Sequence, residues 1–428
     1  MTDRPTTAPT LTADLPGTGG VIKQRPEDFL VEETPLYEPA GQGEHLYLFI
    51  EKRGMSTMQL TGLLANHFEV PKRAIGVAGL KDKHAITRQV VSIHAPGKRF
   101  EDFPMIRDER VGVLWTDYHT NKLRRGHLKG NRFSIRIRGV SPTAVVRAKP
   151  ILARLEHRGV PNRFGPQRFG FLENNHEIGA ALLRGDHDAA LTHLLGPSDL
   201  HPESQPEARA AFERGDFAEA LSLMPNALRT EQAALRVLAR GGSPKQALAA
   251  MGRGVGEYYL AAFQSAIFNA VLDRRLADGS WDRILPGDIA QMARNRACFT
   301  IDHDTASNPE TAARLERFEI APSGPMWGPS MMRASGPIEE LEVGALAEAG
   351  FAPDDLKPRG VSARWTLEGE RRPLRIPLID PNLEGGVDEH GPFVRVAFEL
   401  PRGAFATTVL HEIMKTAGDS TGDDSDSE

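Results

Sequence analysis

The sequence is short of the residues on which most enzyme chemistries depend. It has one cysteine, Cys298, in 428 residues. That excludes an internal disulfide framework and any thiolate metal cage. Without cysteine pairs a zinc deaminase is excluded too. The fourteen histidines are scattered without ligand spacing, so no metal is expected. There is no G-x-x-x-x-G-K-S/T phosphate loop, no strand-linked G-x-G-x-x-G, and no H-E-x-x-H. No apolar run is long enough to span a bilayer. Residues 1–19, rich in Thr, Pro and Gly, lack the basic start and apolar core of a signal peptide and read as a flexible leader. The expected compartment is the cytoplasm, with no membrane partner.

What is present belongs to a globular protein: 40% hydrophobic and 25% charged residues, long enough for two domains. The net charge of -5 conceals an asymmetry. Residues 71–140 carry 16 Lys or Arg against 6 Asp or Glu, an excess of +10. The last thirteen residues, 416–428, carry five acids and no base and are expected to form a disordered acidic tail. A basic stretch in a mildly acidic whole fits a localised phosphate-binding surface or a solvated charged face. Charge alone leaves both open.

Apolar alternation predicts a buried strand at 45–51, and the Ser56–Gln59 spacing predicts a capped helix after it. A short strand at 74–80 should end near Gly79, which puts Asp82 in a tight loop. Strands are expected at 88–94 and 132–140. In the second, Phe133, Ile135 and Ile137 face a core while Ser134, Arg136 and Arg138 face solvent. Ser141-Pro142 should open a helix to about 157. From about 174 to 317 the pattern is helical, with helices expected over 208–220, 230–239 and 256–276. Strand alternation returns at Val394, Val396, Phe398 and Leu400, before a last helix at 407–415. The order predicts a helical insertion in a mixed α/β domain whose sheet uses both chain ends.

Asp82 lies between Lys81 and Lys83, just past a strand end. Neighbouring cations favour the ionised carboxylate, the form that attacks an anomeric carbon. Taken alone, the tripeptide is better read as a solvated turn with weak surface pairs.

The wider segment changes that balance. Gly79-Leu80-Lys81-Asp82-Lys83-His84-Ala85-Ile86-Thr87-Arg88-Gln89 closely resembles the catalytic motif of the TruD family of pseudouridine synthases, G-x-K-D-K-x-A-x-T-x-Q. Four further segments agree in order. Lys23 with Arg25-Pro26-Glu27-Asp28-Phe29 resembles the P-E-D-F element. Lys129-Gly130-Asn131-Arg132-Phe133 resembles K-G-N-x-F. Val160-Pro161-Asn162-Arg163-Phe164-Gly165-Pro166-Gln167-Arg168-Phe169-Gly170 resembles V-P-N-Y-F-G-x-Q-R-F-G. Pro401-Arg402-Gly403-Ala404-Phe405-Ala406-Thr407-Thr408-Val409 is similar to the carboxy-terminal P-x-G-x-F-A-T element. Together they reach from residue 23 to 409.

The resemblance implies an α+β fold. Its catalytic domain would hold a mixed, mainly antiparallel sheet (20–160 and 325–415), with a mostly helical inserted TRUD domain at 161–324 and an RNA cleft between them. It implies an isomerase that converts uridine to pseudouridine in tRNA, at position 13 for this family, with no cofactor or metal, as a cytoplasmic monomer. By the motif, Asp82 attacks C1′ or removes a proton from C2′; the sequence leaves both routes open. Phe29, Asn131 and Phe405 align with substrate-pocket positions. A Phe stacks on a flipped base, and an Asn amide matches the imide edge of uracil. Without the motif, each Phe would be read as core and Asn131 as a turn residue.

Expected RNA contacts are Lys23, Lys81, Lys83, His84, Arg124, Arg125, Lys129 and Arg168. Lys72, Arg73, Lys98, Arg99, Arg132, Arg136 and Arg138 are further candidates for phosphates. Gln167 and Arg168 could instead fix a hinge. The chain departs from the family pattern at Arg163, where Tyr is usual, and in a longer stretch at 184–255. A non-catalytic RNA-binding protein of the same fold would lack the motif carboxylate. A glycoside or nucleoside hydrolase would need a second one.

Overall fold

The computed structural model describes residues 9–356 and 367–415. The expected acidic tail at 416–428 lies outside the described residues. The chain forms two compact units, Met1–Val160 with Ile376–Glu428, and Pro161–Arg375.

The first unit is built on an eight-stranded sheet. Its order is Ile379–Asp388, Gly391–Pro401, Leu128–Arg138, Phe29–Pro35, Ile86–His94, His45–Arg53 and Val111–His119, with Ile75–Val77 also paired to Ile86–His94. All pairs are antiparallel except Phe29–Pro35 with Ile86–His94. The registers set Val31 beside Phe133 and Thr87, Phe133 beside Phe398, and Val91 beside Leu48, so their side chains share one face. Helices cover that face. Val145–Arg158 and Ala406–Met414 pack on Phe29, Ile135, Val394 and Phe398, while Thr57–His67 packs on Leu46, Leu48, Ile50 and Val91. The Ser56–Gln59 capping box forms as the spacing predicts, with both reciprocal bonds present.

Residues 9–19 do not form the flexible leader expected over 1–19. Leu11 and Leu15 pack on the core. The Leu11 and Thr12 N–H groups donate to the Glu412 carboxylate at 2.7 and 3.0 Å, and the Thr18 N–H donates to the Ile413 carbonyl at 2.9 Å. A composition of Thr, Pro and Gly hides this, because the partners lie some 400 residues away in sequence.

In the second unit, helices from Asn175–Arg184 to Arg253–Ala277 share one core with Gly336–Glu348. The helix expected over 208–220 is two, Pro206–Glu213 and Phe217–Leu223. Gly215 at φ +79° ends the first, and the Asp216 side chain caps the second. A small antiparallel sheet runs Glu370–Pro373, Ile320–Met326, Ile289–Met292 and Cys298–Thr300. Because Ile320–Met326 pairs with Glu370–Pro373, the chain leaves this unit at residue 375, not at the expected 324. Among the described residues no helix is long and apolar enough to cross a membrane, and no cluster of His, Cys, Asp and Glu could hold a metal ion.

Candidate active site

The strand Ile86–His94 has one edge fully paired with His45–Arg53. Its other edge is shared. Phe29–Pro35 takes residues 86–88 and Ile75–Val77 takes residues 91–93. The two neighbours diverge between them, and the loop 78–85 emerges at this split with Asp82 near its middle. Glu33 fills the gap. Its Oε1 accepts the Val90 N–H at 3.4 Å, and its Oε2 meets the Lys81 ammonium at 2.8 Å. Both side chains are buried, with 1% and 4% exposed. Lys81 is therefore not the free phosphate contact expected from the motif. Its charge is spent on pinning the loop to the sheet.

Three further bonds define the loop. The Lys81 N–H donates to Thr57 Oγ1 at 2.9 Å. The Lys52 ammonium donates to the Asp82 carbonyl at 2.9 Å, and the Gly126 N–H donates to the Ala78 carbonyl at 2.8 Å. The Asp82 carboxylate, 37% exposed, is held through Oδ2 by Lys23 Nζ at 3.2 Å. It is fixed yet reachable.

Lys23 is only 10% exposed, and its ammonium also lies 4.8 Å from the Phe29 ring centre. It was expected to bind RNA; here its charge faces the Asp82 carboxylate. Its backbone sits at φ +57°, a region that costs an L-residue about 1–2 kcal/mol. The neighbours on both sides hold it there. Val21 exchanges backbone bonds with Arg138 at 3.0 and 2.8 Å. Asp28, fully buried, takes Arg138 Nε and Nη2 at 2.9 and 2.6 Å. Arg138 also meets Asp388 at 2.6 and 2.8 Å, which drives the Asp388 carboxyl well below the usual carboxylate range. Arg138 was expected to face solvent. It is 2% exposed instead, because carboxylates on both flanks neutralise it.

Motif segments far apart in sequence meet on this unit. Asn131 pairs in register with Glu33 on one side and Leu400 on the other. Its Oδ1 is buried and accepts no hydrogen bond from the described residues, an arrangement that favours an incoming donor. Phe405, half-buried, directly precedes Ala406–Met414. Phe29 is only 2% exposed and packs edge-on to Phe133 at 6.5 Å, so it offers no open ring face for a base to stack on.

Of the basic residues, Arg124, Arg125, Lys129, Arg132, Lys72, Arg73, Lys98 and Arg99 are exposed, while Lys83, His84 and Arg136 are half-buried. The first two sit on the turn that hooks onto Ala78 at the base of the loop 78–85. Arg168 belongs to the second unit, where it lies over Phe164 and Tyr258 at 5.2 and 5.7 Å. Arg163 reaches Asp273, at 3.2 Å from Nη1 to Oδ2. Sequence reasoning missed Glu33, Thr57 and Lys52. A signal existed: Leu46, Leu48, Ile50 and Lys52 share one alternation, as do Phe29, Val31 and Glu33. Each places a charged residue at a buried strand position.

A family model described as tRNA pseudouridine synthase D (TruD) matches residues 7–413. The chain is 43% identical over 408 residues to the tRNA pseudouridine synthase D of Geobacter metallireducens, covering 95% of this chain and 97% of that protein. It is 38% identical over 411 residues to the enzyme of the same name from Anaeromyxobacter dehalogenans, covering 96% and 97%. Among solved structures, one from Methanosarcina mazei under the name tRNA pseudouridine synthase D (TruD) superposes with a TM-score of 0.79. It is 28% identical, and 97% of this chain and 99% of that chain are covered.

Proposed function

Because the chain belongs to the TruD family of tRNA pseudouridine synthases, we propose that it isomerises uridine to pseudouridine in tRNA, at position 13, with Asp82 as the catalytic carboxylate. The observation that carries the reading is the Asp82 carboxylate itself. It is fixed at the split of the sheet, paired to one lysine and 37% exposed. The reaction breaks the N1–C1′ bond, turns the uracil in the site and rejoins it through C5. One ionised carboxylate suffices, as a nucleophile at C1′ or as the base that takes the C2′ proton. The leaving uracil spreads its negative charge over the ring.

Asn131 supports the substrate assignment. Its buried, unfilled Oδ1 matches the N3–H donor on the imide edge of uracil. Phe405 lies on a neighbouring segment and supplies an aromatic side for the base. Arg124, Arg125 and Lys129, exposed beside the catalytic loop, and Lys83 and His84 on it, contact phosphates. Such contacts position the RNA without reading sequence.

The test uses unmodified tRNA carrying tritium at uridine C5, since forming the C5–C1′ bond must displace that hydrogen. Label release, with carbodiimide-dependent primer-extension stops mapping the product to position 13, is the expected result. Release with a stop elsewhere refutes the position alone. Binding without any release leaves a non-catalytic RNA-binding protein of the same fold.

A further inference from the structure

The strand His45–Arg53 carries Leu46, Leu48 and Ile50 into the core, and Lys52 follows in the same alternation. Its side chain is fully buried. An ammonium has three donors, and here three main-chain carbonyls receive them: Asp82 at 2.9 Å, Lys81 at 3.5 Å, and Met55. Two of these belong to the peptide groups on either side of the Asp82 Cα, and the third lies at the foot of Thr57–His67. The charged groups facing Lys52 are the Asp82 carboxylate and the Lys81 ammonium, which are themselves paired to Lys23 and Glu33. A buried cation among carbonyls is costly. Three well-placed acceptors fit the protonated amine, and a neutral amine would leave one of them unfilled.

We propose that Lys52 is a positioning residue for the isomerisation. Its buried ammonium clamps the peptide groups on either side of the Asp82 Cα, fixes the Asp82 side chain at its attack position, and adds a favourable field for the ionised carboxylate. The inference rests on Asp82 being the reacting group.

Burial pushes the Lys52 ammonium down to about 8, against the opposing pull of the Asp82 carboxylate. The clamp therefore weakens as pH rises through that value. Stability moves the other way. Between about 8 and the ordinary 10.5 the unfolded chain holds the extra proton, so this group favours folding more as pH rises. An alkaline loss of activity from this source is not unfolding.

The experiment measures kcat, KM and tRNA affinity for wild type, Lys52→Met and Asp82→Asn from pH 6.5 to 9.5. Lys52→Met is expected to lose about 100-fold in kcat, the scale of a misplacement near 1 Å, with tRNA affinity within about twofold. The wild type is expected to lose kcat above about pH 8, and Lys52→Met to lack that limb. Wild-type kcat in Lys52→Met, an alkaline limb that persists in it, or a kcat loss that only tracks the unfolded fraction overturns the proposal. If Asp82→Asn stays active, the catalytic reading itself fails. If Asp82→Asn is inactive while Lys52→Met is unimpaired, only the clamp fails. Should Lys52→Met not fold, hydrogen exchange of residues 78–85 in the wild type decides, corrected for intrinsic rates. Protection lost as pH rises from 7 to 9 supports the clamp, and unchanged protection overturns it.

Discussion

Replacing Glu33 by Gln separates the charge of the Glu33–Lys81 pair from its shape. The amide keeps the shape but has only one oxygen, which can stay on the Val90 N–H, while its Nε2 group, a donor, then faces Lys81 Nζ. What is lost is the counter-charge to an ammonium 4% exposed. Removing one partner of a buried pair costs about 3–5 kcal/mol, against about 0–1 kcal/mol for an exposed one. Lys81→Met alone should cost a similar amount, since it strands the Glu33 charge. The double variant Glu33→Gln/Lys81→Met should recover most of the loss and lie within about 1 kcal/mol of wild type. Urea unfolding gives the total, and hydrogen exchange over 86–94 localises it to this unit. Because Lys81 is bonded in sequence to Asp82, Glu33→Gln should also lower kcat more than tRNA affinity. A loss below about 1 kcal/mol, or a double variant as unstable as the two single losses combined, refutes the description of a buried strut.

Other perturbations test neighbouring parts of the site. Asn131→Leu removes an acceptor that no described residue fills. Its melting point should barely change while kcat/KM falls about 10- to 100-fold, the worth of one buried hydrogen bond to substrate; equal loss of both would assign Asn131 to the fold alone. Arg138→Lys keeps a charge but cannot span Asp28 and Asp388 with a planar fork. It should destabilise by about 3 kcal/mol and, through Lys23, lower kcat at constant tRNA affinity. Glu412→Ala frees the Leu11 and Thr12 N–H groups and should expose residues 9–19 to limited proteolysis; unchanged resistance would mean apolar packing alone holds them.

Much of this architecture is legible in the chain because it rests on local patterns. Period-two alternation marks Leu46–Leu48–Ile50 and Phe133–Ile135–Ile137, and the Ser56–Gln59 spacing marks a helix start. The motif at 79–89 points to Asp82 without geometry. What sequence hides is where charges go once strands pair. Arg138 continues an alternation that looks solvent-facing, yet Asp28 and Asp388, 110 and 250 residues away, draw it inside. Glu33 and Lys52 break an apolar alternation at its last step and look like strand ends; each is buried because the split sheet supplies it with partners. Residues 9–19 read as loose because their anchor, Glu412, stands almost at the other end of the chain. Phe29 was legible as a motif residue, but its 2% exposure follows from packing that no single segment encodes.

The account turns on the Asp82 carboxylate, and Asp82→Asn tests it most directly because the amide preserves size while removing the charge. The measurement pairs tritium release from C5-labelled tRNA with equilibrium binding of the same tRNA. The expected result is tRNA affinity within about threefold of wild type, because the phosphate contacts that dominate affinity are untouched, with no detectable release. Turnover near the wild-type rate in Asp82→Asn would contradict the assignment.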